Sequence, residues 1–312
     1  MKIIVTGGCG YVGTELTKHL ISKGHKIKVI DTQWFGNYHK KNKNLILIKK
    51  DIRNLEVKDL FGYQKIIHLA NIALESSEVA PKLSWDINVL ALRDLAEKSI
   101  KAGIKHFIYA SSGSVYGISK KKKVTEDTPL TPISVYNKTK MIAERVILSY
   151  KNKMTIHCIR PATVSGYSEK MRLDLTVNTL TLQALKNKRI TVFGGKQVRP
   201  NINIKDLISV FNFFLIKSKI KSGCYNAGFE NMSVINIAKK VKSIIPSKII
   251  IKNILDRRHY YQDSSKLISL GFKPKFGIAD SIKDLKKKFE EKKLKEKINF
   301  YSMKQLKRLG IT

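Results

Sequence analysis

Three residues in the middle of the chain have types and spacing that suit proton transfer at a hydroxyl group. Tyr136 and Lys140 stand four positions apart, so in a helix both side chains lie on one face. The lysine ammonium would stabilise the phenolate form of Tyr136, which could then act as a base near neutral pH. Ser112 would donate a hydrogen bond to the same oxygen of a bound molecule. Taken alone, however, such a pair and a serine-rich strand end more often serve structure than chemistry.

A glycine-rich segment near the start of the chain predicts a dinucleotide site. Residues 7–13 have the sequence GGCGYVG, and Asp31 stands some twenty positions later. Gly7 and Gly10 allow a tight turn and the close approach of a pyrophosphate at a helix amino terminus, while Gly13 lets the helix pack on a strand. Asp31 would bind the adenosine ribose hydroxyls and repel a 2′-phosphate. We therefore expect bound NAD rather than NADP, because strand, glycines, helix and acid occur in the required order.

These residues need a framework of parallel strands, and the chain has the corresponding pattern. Short apolar runs alternate with stretches long enough for a helix, which predicts a doubly wound parallel sheet of the Rossmann type. The predicted strands are Lys2–Thr6, Lys26–Ile30, Leu45–Lys49, Lys65–Leu69, Phe107–Ser111 and Thr155–Arg160. Apolar residues at three- and four-residue spacing predict crossover helices over Gly13–Lys23, Asp86–Ala102 and Val135–Tyr150.

The pattern also predicts a division into two lobes. Residues 1–165, together with about 200–228, are expected to form the NAD-binding domain. Residues from about 166–199 and from 229–312 would form a smaller α/β lobe for the substrate. Within the first lobe, the apolar segment Ile204–Ile216 is typical of a buried helix.

The composition is that of an ordinary globular protein, which excludes disordered and collagen-like classes. The 312 residues are 43% hydrophobic and 27% charged, with a formal net charge of +36. Such a charge alone would point to a polyanion such as RNA. The excess is mostly lysine, spread from Lys2 to Lys307, and no stretch concentrates arginine with aromatic residues. We expect solvated lysines and no specific nucleic-acid partner; tight, salt-sensitive RNA binding would favour the alternative.

Cysteine usage and the amino terminus predict a cytoplasmic protein. Cys9, Cys158 and Cys224 are far apart and lack the spacing of a zinc site or a disulfide framework, which fits a reducing compartment. Met1–Gly7 runs straight into a predicted core strand, so we expect no signal peptide. Leu207–Ile216 is far shorter than the ~20 residues of a membrane span, so we expect no membrane partner.

Taken together, the glycine segment and the set of Ser112, Tyr136 and Lys140 resemble the extended short-chain dehydrogenase/reductase family, in its sugar-nucleotide epimerase/dehydratase branch. The likeness covers almost the whole chain. It implies NAD as cofactor, a nucleoside-diphosphate sugar as substrate, and a homodimer formed through Asp86–Ala102 and Val135–Tyr150. The positions that it assigns to the cofactor are Gly7, Gly10, Tyr11, Val12, Gly13, Asp31, Asp51, Ile52, Leu69, Ala70, Asn88, Ser111, Tyr136, Lys140 and Pro161.

The resemblance also implies substrate contacts. Ser112 would hold the reacting hydroxyl, and Asn178 matches an asparagine that contacts the nucleotide diphosphate. Arg199 and Arg258 match arginines that bind the substrate phosphates, a role for which the guanidinium fork is suited. The segment 160–164 resembles the one that closes over the nicotinamide.

One departure from the family pattern bears on the reaction. Dehydratases and decarboxylases of this branch usually place an acid in the two positions after the catalytic serine or threonine, where this chain has Gly113 and Ser114. We therefore predict epimerisation at C4 through a transient 4-ketosugar, with Tyr136 as base. An NAD(P)-dependent 4-ketosugar-nucleotide reductase is the alternative, and 4,6-dehydration is disfavoured. Cofactor retention separates the first two, since an epimerase ends each cycle with its NAD unchanged.

Overall fold

The apolar runs of the sequence form strands at the predicted places. The protein is described by a computed structural model that covers residues 1–119, 123–253 and 260–311. Its strands are, in chain order, β1 (Lys2–Thr6), β2 (Lys26–Asp31), β3 (Leu45–Lys49), β4 (Lys65–His68), β5 (His106–Ala110), β6 (Lys123–Val124), β7 (Thr155–Pro161), β8 (Thr163–Ser165), β9 (Arg189–Phe193), β10 (Val198–Asn203), β11 (Gly223–Ala227), β12 (Glu230–Ser233), β13 (Lys248–Lys252) and β14 (Tyr261–Gln262).

A seven-stranded sheet with the order β11-β7-β5-β4-β1-β2-β3 dominates the fold. Neighbouring strands in it are parallel throughout. The chain runs outwards from β1 to β3 and then crosses back to β4, so the strand order reverses between β1 and β4. This confirms the predicted Rossmann-type fold, in which ligands bind beyond the carboxyl ends of the strands at the point of reversal.

Helices cover both faces of this sheet, as parallel strands require. The α-helices are α1 (Tyr11–Ser22), α2 (Leu74–Val79), α3 (Pro81–Trp85), α4 (Ala91–Lys101), α5 (Val135–Leu148), α6 (Thr176–Asn187), α7 (Ile204–Ile216), α8 (Val234–Ile244), α9 (Ser265–Ser269), α10 (Ile278–Glu290) and α11 (Ser302–Arg308). Short 3-10 segments occupy Ile52–Asn54, Val57–Leu60, Gly113–Tyr116 and Ile298–Phe300. The predicted helix Asp86–Ala102 is divided, because Asp86–Leu90 forms a π-helical segment ahead of α4.

Smaller sheets and the late helices form a second layer beside the large sheet. Strand β10 lies between β12, to which it is antiparallel, and β8, to which it is parallel. Strand β13 pairs with β9, and β14 with β6. A separate apolar cluster joins α6, α8 and α10 through residues such as Val177, Ile237 and Ile282. Late residues also reach the main core, since Leu285 and Phe300 belong to the same cluster as Ile3.

Burial explains why these segments fold as they do. Four of the five residues of β1 are buried, as expected for a central strand covered on both faces. Helix α7 is buried along most of its length, which confirms its prediction as a core helix. Within the described residues, no helix is both long enough and apolar enough to cross a bilayer.

Candidate active site

The amino end of α5 places the predicted base and its lysine on one side of a cleft. Ser134 accepts a hydrogen bond from the N–H of Asn137 at 3.1 Å, and this cap starts the helix at Val135. Tyr136 and Lys140 therefore lie one turn apart, with the lysine Nζ 5.7 Å from the centre of the tyrosine ring. Both residues line the cleft, so the structure brings together the pair that the spacing predicts.

Lys140 is a buried residue of α5 whose side chain reaches the end of β5. Its Nζ donates a hydrogen bond to the carbonyl oxygen of Ala110 at 2.7 Å and lies 4.8 Å from the ring centre of Tyr109. Burial lowers the pKa of Lys140 to about 7, and the nearby Glu144 carboxylate opposes this shift. Because a neutral carbonyl holds the ammonium, its charge remains available to stabilise a phenolate at Tyr136.

Behind this pair lies a buried ionic network that the sequence analysis missed. The Arg160 guanidinium donates to both carboxylate oxygens of Glu144, at 2.8 and 2.7 Å. Ser111 donates its hydroxyl to Glu144 at 2.5 Å, and Arg160 also donates to the hydroxyl of Tyr116 at 2.8 Å. Glu144 follows Lys140 by four residues on α5, and this spacing is the signal that could have identified it. In the segment 160–164, the Arg160 side chain thus faces the interior.

The serines after β5 form the other side of the cleft, at the end that holds Tyr136 and Lys140. The hydroxyls of Ser112 and Ser114 are 2.8 Å apart, and both residues line the cleft with Tyr136. Between them, Gly113 has no room for a side chain, since a Cβ there would lie 2.6 Å from Oε1 of Gln262. Gln262 is buried and donates from Nε2 to the carbonyl oxygen of residue 160 at 2.7 Å, so it cannot move freely. The position after Ser112 is therefore sterically closed to an acid.

The glycine segment forms a cradle at the switch point of the sheet. Gly7 has a φ of +70°, and a Cβ there would lie 2.5 Å from the backbone nitrogen of Ala70. A Cβ on Gly13 would lie 2.3 Å from the carbonyl oxygen of Gly7, so both glycines are required by close packing. Helix α1 starts after Gly10, and among the described residues no side chain caps its first turn. Its amino terminus is thus open to an anion.

Asp31 lies at the end of β2 with both carboxylate oxygens oriented by the backbone. Oδ2 accepts from the N–H of Cys9 at 2.9 Å and Oδ1 from the N–H of Gln33 at 2.7 Å. Burial raises the pKa of Asp31, although these hydrogen bonds oppose the shift. The carboxylate is fixed beside the glycine cradle, where a ribose would lie.

One cleft of about 390 Å³ connects the cradle with the catalytic residues. Predicted residues that line it are Gly7, Gly10, Tyr11, Val12, Gly13, Asp31, Asp51, Ile52, Leu69, Ala70, Ser111, Ser112, Tyr136, Lys140 and Pro161. Another part of its wall was not predicted from the sequence and is formed by Trp34, Phe35, Lys170, Arg172, Ser302 and Leu306. These come from three distant segments, and no motif marks them.

Two predicted contact residues lie behind the wall of the cleft. Asn88 is 1% exposed; its Oδ1 accepts from the N–H of Ile72 at 2.8 Å and its Nδ2 donates to the hydroxyl of Thr139 at 3.1 Å. Asn178 is equally buried, accepts from the N–H of Gly166 at 3.0 Å and donates to the Tyr11 hydroxyl at 3.2 Å. Their amides hold loops that border the cleft, and the structure does not bring them to its surface.

Of the two predicted phosphate-binding arginines, the structure describes only Arg199, and this residue does not line the cleft. Arg199 lies on β10, half-buried, and its Nη1 donates to the carbonyl oxygen of Val198 at 3.1 Å. Arg258 lies outside the described residues. Positioning of the substrate phosphates by these arginines therefore stays a prediction.

Comparison with known proteins agrees with this geometry. The sequence model of the NAD dependent epimerase/dehydratase family matches residues 3–228. The chain belongs to the NAD-dependent epimerase/dehydratase family. A UDP-glucose 4-epimerase of Lactobacillus helveticus is 28% identical to it, over 90% of this chain and 94% of that protein.

Solved structures of this family have the same fold. The UDP-glucose 4-epimerase of Thermotoga maritima, determined with UDP-glucose, is 25% identical and superposes with a TM-score of 0.84 over 94% of this chain and 99% of that one. A UDP-glucuronic acid 4-epimerase variant of Bacillus cereus, determined with a 4-deoxy-4-fluoro substrate analogue and NAD, is 25% identical, with a TM-score of 0.83 over 93% and 99% of the two chains.

NAD is the cofactor of this family, and the residues of the cleft fit it. The open amino terminus of α1 and the cradle around Gly7 would hold the pyrophosphate, and Asp31 would hold the adenosine ribose. Ser112, Tyr136 and Lys140 lie at the other end of the same cleft. The predicted catalytic residues and the residues that would hold the dinucleotide therefore line one cleft.

Proposed function

We propose that this protein is an NAD-dependent epimerase that inverts C4 of a nucleoside-diphosphate hexose through a transient 4-ketosugar. The observation that carries the proposal is the joint placement of Ser112, Tyr136 and Lys140 on the cleft, with a closed, neutral position at Gly113. The 4-epimerases similar to this chain support the same reaction.

In the proposed mechanism, Tyr136 takes the proton of the C4 hydroxyl and later returns it to the same oxygen. Lys140 stabilises the phenolate that begins the cycle, and Ser112 donates a hydrogen bond that orients the hydroxyl. Bound NAD supplies the acceptor and donor of the C4 hydride. For inversion, the ketosugar rotates so that its opposite face meets the cofactor before the hydride returns. The wall of the cleft near Ser114 therefore has to leave space for this rotation.

The closed position after Ser112 favours epimerisation over dehydration. Loss of water from the sugar needs an acid and a base beyond the tyrosine, because a second carbon must lose a proton and a hydroxyl must leave. In this chain the two positions after Ser112 hold Gly113 and Ser114, and Gln262 fills the space next to Gly113. The residues present supply proton transfer at one hydroxyl, which epimerisation or ketone reduction requires.

Replacement of Tyr136 by Phe tests the proposal. We expect the rate of C4 inversion of nucleoside-diphosphate hexoses, starting with UDP-glucose, to fall by about 10²–10⁴-fold, because the phenol oxygen is the base. The NAD that co-purifies with the variant should be unchanged. Tyr225→Phe is the control, since that tyrosine does not line the cleft and its hydroxyl donates to the carbonyl oxygen of Lys221. An unchanged rate in Tyr136→Phe would contradict the proposal.

Measurement of the small molecules released on denaturation separates the epimerase from the reductase. An epimerase should release NAD or NADH without any having been added. A protein that is purified empty and binds NADH or NADPH reversibly would support the 4-ketosugar reductase instead. Mass spectrometry and absorbance of the denatured supernatant distinguish the two.

We also propose a homodimer formed through the segments 86–102 and 135–150. Exposed apolar side chains support it: Trp85 just before the first segment and Leu90 within it are 38% and 49% exposed, and Ile133 before the second is 47% exposed. Light scattering of the Leu90→Glu variant tests the interface, and a dimer of unchanged affinity would contradict it.

The proposed location is the cytoplasm. Cys158 and Cys224 stand opposite each other in register on β7 and β11, and both are free thiols, as is Cys9. Free thiols that could pair support a reducing compartment. Imaging of the tagged full chain tests this, and signal outside the cytoplasm would contradict it.

A further inference from the structure

A buried lysine on the wall of the cleft has no role in the chemistry proposed above. Lys170 is only 2% exposed, yet it lines the cleft and its Nζ lies 4.5 Å from the ring centre of Phe35. Phe35 follows Asp31 closely in the chain, so this lysine borders the adenosine end of the cleft and not its catalytic end.

The segment that carries Lys170 is fastened to the helix that would bind the pyrophosphate. The hydroxyl of Tyr11, in the first turn of α1, donates to the carbonyl oxygen of Gly166 at 2.7 Å. One turn further along, Glu15 accepts from the hydroxyl of Ser168 at 3.3 Å and from the N–H of residue 169 at 3.2 Å. Lys170 therefore projects from a segment whose position is set by the amino end of α1.

The neighbouring charges leave the ammonium of Lys170 without a counter-ion. Across the described residues, its Nζ has no carboxylate within 4.0 Å and no hydrogen-bond acceptor. Asp174 is bound at 2.7 Å to Nε of Arg172, and the Asp31 oxygens accept from backbone N–H groups. Burial and the positive charge of Arg172 lower the pKa of Lys170 to about 7, and the Asp174 and Asp31 carboxylates, neither of them in contact with its Nζ, oppose this shift. A buried, unpaired ammonium is costly unless an anion arrives to pair with it.

We propose that Lys170 is a phosphate-binding residue for the dinucleotide, and that its ammonium pairs with the pyrophosphate from the wall opposite the glycine cradle. The open amino terminus of α1 supplies N–H donors from one side, and Lys170 supplies a full charge from the other. This inference depends on NAD binding alone, so it holds whether the enzyme is an epimerase or a reductase.

Nucleotide binding to the full chain, freed of bound nucleotide by charcoal treatment, tests the inference without turnover. Trp34 lines the cleft, so its fluorescence reports binding of NAD, ADP or adenosine. We expect Lys170→Met to lower the affinity for NAD and for ADP by about ten- to a hundredfold, because a charge-assisted contact is lost. Adenosine, which has no phosphate, should bind as it does to the wild type. Lys170→Arg should keep most of the affinity, and the exposed Lys23→Met is the control.

Three outcomes would overturn the assignment. If Lys170→Met bound NAD and ADP with the same affinities as the wild type, the ammonium would contact no phosphate. If Lys170→Met lost affinity for adenosine as much as for ADP, the residue would only shape the wall of the cleft. The same conclusion would follow if Lys170→Arg lost as much affinity as Lys170→Met. Circular dichroism melting of each variant verifies that the folded chain is compared.

Discussion

Arg160 on β7 and Glu144 on α5 form an ion pair through two hydrogen bonds, and their side chains are only 5% and 3% exposed. The Glu144 carboxylate also accepts from Ser111, and Lys140 precedes it by one helical turn. Burial disfavours each charge alone, so each is stable only with the other. Through these contacts the pair joins β5, α5 and β7, the elements that carry the catalytic residues.

Removal of one partner should therefore destabilise the fold strongly. We expect Glu144→Ala to lower the free energy of unfolding by about 3–5 kcal/mol, because Arg160 would remain as a buried, unpaired charge. Glu290→Ala, at an exposed position on α10 where the carboxylate pairs with Lys286 at 3.9 Å, is the matched control and should cost less than about 1 kcal/mol. Urea unfolding measures both. Equal, small effects would show that the buried pair contributes little.

The buried Lys140 should make stability depend on pH in a defined direction. Its pKa is about 7 in the folded protein and near 10.5 when unfolded, so the unfolded chain binds more protons between these values. The free-energy cost of burying the charged ammonium reduces the stability fully below about pH 7. This cost decreases as the pH rises, because the buried lysine loses its proton. We expect the wild type to gain stability relative to Lys140→Met between pH 7 and pH 9. A difference that stays constant over this range would contradict the lowered pKa.

The closed space at Gly113 predicts a coupled pair of substitutions. We expect Gly113→Ala to cost about 1–3 kcal/mol, since its Cβ would meet Oε1 of Gln262. The cost should shrink in a Gln262→Ala background, where that oxygen is absent. Gly223→Ala has nothing within 4 Å of its Cβ and serves as the control. A double-mutant cycle by urea unfolding gives the coupling, and additive effects would argue against the contact.

Asp31 should set the preference between the two dinucleotides. We expect Asp31→Ser to lower the affinity for NAD and to raise the affinity for NADP relative to that for NAD. The reason is that the carboxylate binds ribose hydroxyls and repels a 2′-phosphate. Fluorescence titration through Trp34 measures both ligands. A variant with an unchanged ratio of affinities would show that Asp31 does not face the ribose.

Local patterns predicted the parts of the site that are close in sequence. The Gly7–Gly13 segment and the Tyr136–Lys140 pair follow from spacing alone, because a turn and a helix place their side chains by short-range geometry. The six predicted strands lie within about a residue of their predicted ends, since buried parallel strands are continuous apolar runs.

The rest of the site depends on contacts between distant segments. Lys170 reaches the cleft because the chain after β8 folds against α1, and Ser302 because α11 returns to the Trp34 loop, where Gln305 donates to the Trp34 carbonyl oxygen at 2.7 Å. No spacing rule connects residues so far apart. Asn178 shows the same dependence, since the direction of its amide is set by its contact with the Tyr11 hydroxyl, which is distant in sequence.

The most direct test of the proposed function follows a labelled hydride. The purified enzyme, with no added cofactor, is incubated with UDP-glucose that carries deuterium at C4, and the product is examined by NMR spectroscopy and mass spectrometry. A hydride that leaves C4 and returns to it through the retained cofactor predicts a C4-inverted product that keeps its deuterium at C4. A C4-inverted product that has lost its deuterium to the solvent would contradict the account, as would no inversion of this or any other nucleoside-diphosphate hexose.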